Sequence, residues 1–253
     1  MILDPRVRGD AASSYPENDA LIRGVLLAVG VVFNFQARGF YIMAFSMKRF
    51  SLILSVLCVF GVGSAFAAVD AGDVAKAETY FQKLKTAQAR FVQTTHNGQQ
   101  VTGTFYLSRP GKLRFEYDPP NKDFVVADGT FIYFYDGELD EQTNAPIGTT
   151  LADFFLRKDF SLKGDLTVKE TRTMAGFLQV EVTQTADPAE GTLTFAFTES
   201  PFALKKWRVV DGQGAITEVE LFYLKTGVDL DKSLFRYFDP KRKDEGGNPS
   251  FND

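Results

Sequence analysis

Few side chains in this sequence are equipped for chemistry. The 253-residue chain has one histidine and one cysteine, which excludes a disulfide framework, a zinc cluster and most Cys/His catalysis. His96 abuts Asn97-Gly98, a turn pair that places it in solvent. No Gly-x-Ser-x-Gly elbow accompanies it, so a Ser-His-Asp arrangement has no anchor. The carboxylate pairs Glu218/Glu220 and Asp229/Asp231 fall at strand spacing or in a loop and read as solvated faces. Asp136, Glu138, Asp140 and Glu141 lack the spacing of a calcium loop. The expectation is a binding protein: not an enzyme, with no metal and no cofactor. With 28 basic against 32 acidic residues, the net charge is -4, which argues against a nucleic-acid partner.

What the chain has in excess is phenylalanine, 25 residues against one Trp and 9 Tyr. The elements that must carry these rings are strands. Asp70 is a candidate N-cap, and Val74, Ala77, Phe81 and Leu84 recur at spacings of three and four, so one amphipathic helix is predicted over 71–86. Lys83 and Lys85 suit its C-terminal end. The period then becomes two. Turn pairs at Asn97-Gly98, Asp128-Gly129, Asp136-Gly137 and Asp211-Gly212 separate predicted strands near 88–96, 99–108, 112–118, 123–127, 130–135, 139–144, 165–170, 177–184, 191–198, 204–210 and 215–224. Short turns between successive strands mean an antiparallel meander, mostly β with an N-terminal helix. Thr149 to Leu156 reads as a short capped helix inserted between the two halves of the sheet. Its apolar face, Leu151, Phe154 and Phe155, suits a plug or lid. The tail from Asp239 is polar and charged, which predicts fraying.

Alternation lays Phe91, Phe105/Leu107, Leu113/Phe115/Tyr117, Leu178/Val180/Val182 and Leu193/Phe195/Phe197 along single strand faces. Two readings stand: a packed core, or the wall of a site for an acyl chain, since a curved sheet of about eleven strands encloses ligand-sized space. Arg109 breaks the pattern. It shares parity with Phe105 and Leu107, so it points at the apolar face, where a guanidinium needs acceptors. Either the carbonyls at a covering helix's C-terminal end supply them, or Pro110-Gly111 turns the chain and Arg109 reaches solvent.

The N-terminal region is read as separate from the fold. From Met47, Lys48-Arg49 precede an apolar run, Leu52 to Val62, and Ala65-Phe66-Ala67 supplies a cleavage site. A signal peptide over 47–67 is expected, with 1–46 an over-called upstream extension and 68–253 a single domain. Cys58 lies inside the apolar run after Leu57, the wrong context for a lipid-modified cysteine. Removing the first 67 residues leaves 186, with no cysteine and 18 of the 25 phenylalanines.

Three segments carry a family resemblance. Phe91-Val92-Gln93, then Gly103-Thr104-Phe105-Tyr106-Leu107-Ser108-Arg109-Pro110-Gly111-Lys112-Leu113-Arg114-Phe115-Glu116-Tyr117, then Val126-Ala127-Asp128-Gly129-Thr130 running into Phe134-Tyr135-Asp136, resemble the LolA family of periplasmic lipoprotein carriers. The likeness continues through Leu151–Leu156 to Leu234-Phe235. It implies an unclosed β-barrel whose concave apolar face is covered by lid helices, with Arg109 hydrogen-bonding the lid in the empty state. Leu113 falls near the cavity mouth, where relatives often carry Phe, and Tyr133 where many have Trp.

The implied acyl-cavity residues are Phe91, Phe105, Leu107, Leu113, Phe115, Tyr133, Val182, Leu193, Phe195 and Phe197. The implied partners are acylated lipoproteins, an inner-membrane lipoprotein-releasing ABC transporter and an outer-membrane lipoprotein receptor. The expected state is a monomer in the Gram-negative periplasm. The alternative from another class is a periplasmic lipid or lipoprotein sensor of the same fold.

Overall fold

The computed structural model describes residues 68–148 and 156–241. The expected upstream extension and signal peptide, the lid residues Leu151, Phe154 and Phe155, and the tail beyond 241 lie outside the described residues. Helix α1, Ala71–Lys83, begins where its cap predicts: the Asp70 carboxylate accepts the Asp73 amide at 2.9 Å. It stops at Lys83 rather than 86 because Leu84 is already extended. The Lys85 carbonyl is then taken by the Arg109 backbone amide at 2.8 Å.

Eleven strands follow: β1 Thr86–Thr94, β2 Gln100–Ser108, β3 Lys112–Tyr117, β4 Phe124–Asp128, β5 Phe131–Asp136, β6 Glu141–Pro146, β7 Leu166–Met174, β8 Phe177–Gln184, β9 Gly191–Glu199, β10 Phe202–Asp211 and β11 Ile216–Thr226. They form one sheet in the order β6-β5-β4-β3-β2-β1-β11-β10-β9-β8-β7. Two meanders, β1–β6 and β7–β11, join through the antiparallel β1–β11 pair. β6 and β7 are its edges, so the barrel is unclosed. Residues 68–70 blunt the β7 edge: the Thr171 amide donates to the Ala68 carbonyl at 3.1 Å, and the Asp70 amide to the Thr171 hydroxyl at 2.7 Å.

β7 runs four residues beyond its expected end. Ala175 (φ 52°) and Gly176 (φ 79°) form the two-residue link to β8, a turn needing positive φ at both positions. Alanine at the first position carries no turn signal, so the pairing of the two strands is legible in the sequence but the position of their turn is not.

One face of the sheet is a continuous apolar surface, with Val74, Ala77 and Phe81 of α1 packed into it. The close approach that shapes this face is at Gly103. It pairs with Phe91 on one side and Tyr117 on the other, and the two rings meet edge to face with centroids 5.2 Å apart. A Cβ on Gly103 would lie 2.6 Å from the Phe91 ring and 2.2 Å from the Glu116 carbonyl oxygen. Only hydrogen fits there.

The opposite face of β3–β5 is covered by the C-terminal segment. A 3-10 turn, Lys232–Phe235, packs on β3 and β4, and Tyr237 stacks on Tyr133 with centroids 4.6 Å apart. Nearby, the loop after β3 is pinned to the β5–β6 turn: the Asp123 carboxylate accepts the Gly137 amide at 2.8 Å. Burial pushes the Asp123 carboxyl above the usual range, the Gly137 amide opposes this, and the charge of Asp136 adds to it.

A carboxyl whose folded-state pKa is raised costs stability when charged, at pH values above that pKa. The cost fades as the pH falls through it. Asp123→Asn keeps an acceptor for Gly137 and removes the charge. It is expected to raise the urea midpoint at neutral pH, with the gain shrinking on acidification. Equal midpoint changes at neutral and acidic pH would contradict the placement of this carboxyl.

Candidate functional site

Arg109 lies immediately beyond β2, at the end of the inner face where α1 terminates. It is 9% exposed. Its Nη1 donates to the carbonyl of Phe81 and to that of Leu84 at 3.3 Å. Its Nε donates to the Arg157 carbonyl at 3.0 Å, and Nη2 to the same oxygen. The Phe81 and Leu84 carbonyls belong to α1's last turn and its cap, the groups a helix leaves without intrahelical donors. One planar guanidinium therefore clamps the end of α1 to the segment 156–162. Among the described residues no carboxylate hydrogen-bonds it, and desolvation lowers its pKa, with the charge of Asp159 acting in the other direction. Of the two readings the residues left open for Arg109, the structure selects the carbonyl acceptors.

The segment 156–162 covers the inner face beside α1. Leu156, Phe160 and Leu162 are each 2% exposed. The Gly111 amide donates to the Leu156 carbonyl at 2.8 Å, Glu78 of α1 accepts the Leu162 amide at 2.7 Å, and Gln82 donates to the Phe160 carbonyl at 3.3 Å. Phe81 packs against Phe160, Phe195 and Phe197, with centroids 4.3, 4.9 and 5.7 Å away. Helix, segment and Arg109 form one cover, held by side-chain hydrogen bonds to backbone groups around a plug of rings.

Nine of the ten expected wall residues lie under or beside it: Phe91, Phe105, Leu107, Leu113, Phe115, Val182, Leu193, Phe195 and Phe197 are buried on the inner face, each at most 2% exposed. Tyr133 is the correction. Its neighbours Ile132 and Phe134 belong to the inner cluster, so Tyr133 points to the other face, where Tyr237 stacks on it. It is no part of the inner wall. The run Phe131-Ile132-Tyr133-Phe134-Tyr135 is apolar at every position, so alternation could not assign its faces.

Several interior residues lie outside the expected wall. Trp207 of β10 is 1% exposed, at 6.0 Å from Phe105 and 6.2 Å from Phe115 between ring centroids. Its parity with Val209 was the available signal. Phe160 and Leu162 sit in a segment with no periodicity, and nothing in the sequence marks them. His96 is exposed at its turn. Among the described residues, no group of three or more His, Cys, Asp or Glu gathers as a metal site, and no helix is long and apolar enough to cross a membrane.

Residues 82–238 match the family model described as outer membrane lipoprotein carrier protein LolA. The chain belongs to the LolA family. A curated relative from Methylococcus capsulatus, named outer-membrane lipoprotein carrier protein, is 25% identical over 200 residues, covering 76% of this chain and 94% of the relative. One of the same name from Pseudomonas syringae pv. tomato is 26% identical over 209 residues, covering 78% and 98%. A crystal structure of a LolA superfamily protein from Nitrosomonas europaea aligns at 11% identity and a TM-score of 0.40, covering 67% of this chain and 99% of that one. The eleven-stranded unclosed sheet with its N-terminal helix is the LolA-like open barrel.

Proposed function

We propose that this protein is a periplasmic carrier, exported by the signal at 47–67. It takes the acyl chains of lipoproteins released from the inner membrane by an ABC transporter and hands them to an outer-membrane receptor. The observation that carries this reading is a phenylalanine-lined concave face under a cover clamped by Arg109. The names of the curated relatives point the same way. Burying an acyl chain is favourable by about 0.8 kcal/mol per CH₂, so an always-open apolar wall would hold its cargo too tightly to deliver it. The cover opposes binding. To admit a chain, α1 and 156–162 must part from the wall and Arg109 must give up its carbonyls. Re-forming those bonds favours release.

Protein purified from the periplasm of its native host is expected to carry bound lipoprotein, detected by mass spectrometry as an acylated peptide. Turnover of a lipid ester by the pure protein, with no lipoprotein bound, would replace the carrier with a hydrolase.

A further inference from the structure

The inner face changes character along β1, its neighbour β11, and β3, which lies one strand beyond β2, always at the same end. On β1 the inward residues run Ala87, Ala89, Phe91, then Gln93 and, just past the strand, Thr95. On β3 they run Leu113, Phe115, then Tyr117. On β11 they run Leu221, Val219, then Thr217. All four polar side chains are buried, Gln93 at 0% exposure and Thr217 at 1%. Gln93 pairs with Val219 across the β1–β11 ladder, and Tyr117 is brought close by the space at Gly103. The Arg109 clamp is at the other end. Its backbone amide bonds Lys85, eight residues before Gln93, which is roughly 26 Å along the strand at about 3.3 Å per residue.

The Tyr117 hydroxyl donates to Gln93 Oε1 at 2.8 Å. Burial, with the nearby charge of Asp123, holds that phenol well above its ordinary pKa, so it remains a donor. Among the described residues Gln93 Nε2 has no hydrogen-bond acceptor. Turning the amide over does not remove the deficit, because one hydroxyl cannot satisfy both ends of a primary amide. An unpaired buried amide is unfavourable, and an apolar side chain of similar size would carry no such penalty.

We propose that Gln93, held by Tyr117, is a polar floor that sets the length of acyl chain the site accepts. This inference rests on the carrier reading above. A chain entering past Arg109 lies against apolar wall as far as Phe91. Beyond that, its terminal methyl meets an amide to which it offers no acceptor, and further methylenes gain little.

The test is titration of wild type, Gln93→Leu and Gln93→Leu/Tyr117→Phe with lipopeptides of one head group, their single acyl chain lengthened in two-carbon steps. Wild-type affinity is expected to climb by up to about fourfold per methylene and then stop at a break length. In both variants the climb continues for at least two further carbons, while shorter chains bind within about twofold of wild type. The double variant removes both polar groups and should melt no lower than wild type, which separates the effect from misfolding. A break at the same length in all three proteins overturns the floor. Absence of binding at every length overturns the carrier reading and the floor with it.

Discussion

Arg109→Leu is expected to leave a carrier that loads but does not let go. The substitution strips donors from the carbonyls of Phe81, Leu84 and Arg157 together, and leucine offers none in return. Hydrogen bonds to a charged group contribute about 1.5–3 kcal/mol each in mutational series. They share one side chain here, so about 3 kcal/mol is a reasonable loss for the closed cover. That corresponds to roughly a hundredfold shift toward the open state.

Three readouts follow. The Gly111 amide, bonded to the Leu156 carbonyl at 2.8 Å, should exchange its hydrogen up to about a hundredfold faster in the empty protein. Affinity for an acylated lipopeptide should rise by as much as the same factor, because closure no longer competes with the cargo. In cells, lipoprotein should accumulate on the periplasmic carrier at the expense of the outer membrane. Arg109→Lys should fall between, since one ammonium cannot reach both carbonyl groups in the guanidinium's planar geometry. Wild-type exchange at Gly111 together with normal lipoprotein delivery would remove Arg109 from the release mechanism.

Gly103→Ala should be strongly destabilising and should disturb the inner wall directly. The new Cβ would meet a backbone oxygen at 2.2 Å and the Phe91 ring at 2.6 Å. The ring can swing, but the Glu116 carbonyl belongs to the neighbouring strand and moves only if the β2–β3 pairing gives way. Overpacking of this kind costs about 3 kcal/mol, which for a domain of this size lowers Tm by about 10 °C. The displaced ring also leaves its edge contacts with Phe115 and Tyr117, at 5.2 Å each between centroids. Acyl binding should therefore weaken even below the melting range. Thermal denaturation beside lipopeptide titration tests both parts, and a Tm within about 2 °C of wild type would show that the strands do not approach as described.

The sequence by itself determined what depends on near neighbours. Period-two alternation, with Gly-containing turn pairs at four of the connections, placed all eleven strands to within about four residues at their ends, and Asp70 placed the start of α1, because φ/ψ preferences and capping act over a few residues. The nine inner-wall residues followed from the same alternation wherever a polar residue separated the apolar ones. Where none did, the faces were undetermined. Phe131 to Tyr135 are apolar throughout because the C-terminal segment covers the outer side as the core covers the inner, and only the folded chain reveals that second cover.

Arg109 shows the same division. Its parity announced a charge aimed at an apolar face, yet its acceptors lie 25 to 48 residues away, and no local rule reaches that far. Gln93 was visible only as part of a motif. That it lies buried with one end of its amide unpartnered, at the far end of the wall from Arg109, is decided by β1, β3 and β11 converging around the space at Gly103. Spacing along a chain reports periodicity; which groups share an enclosed volume, and which polar atom there finds no acceptor, is set by contacts between strands that only the tertiary fold brings together.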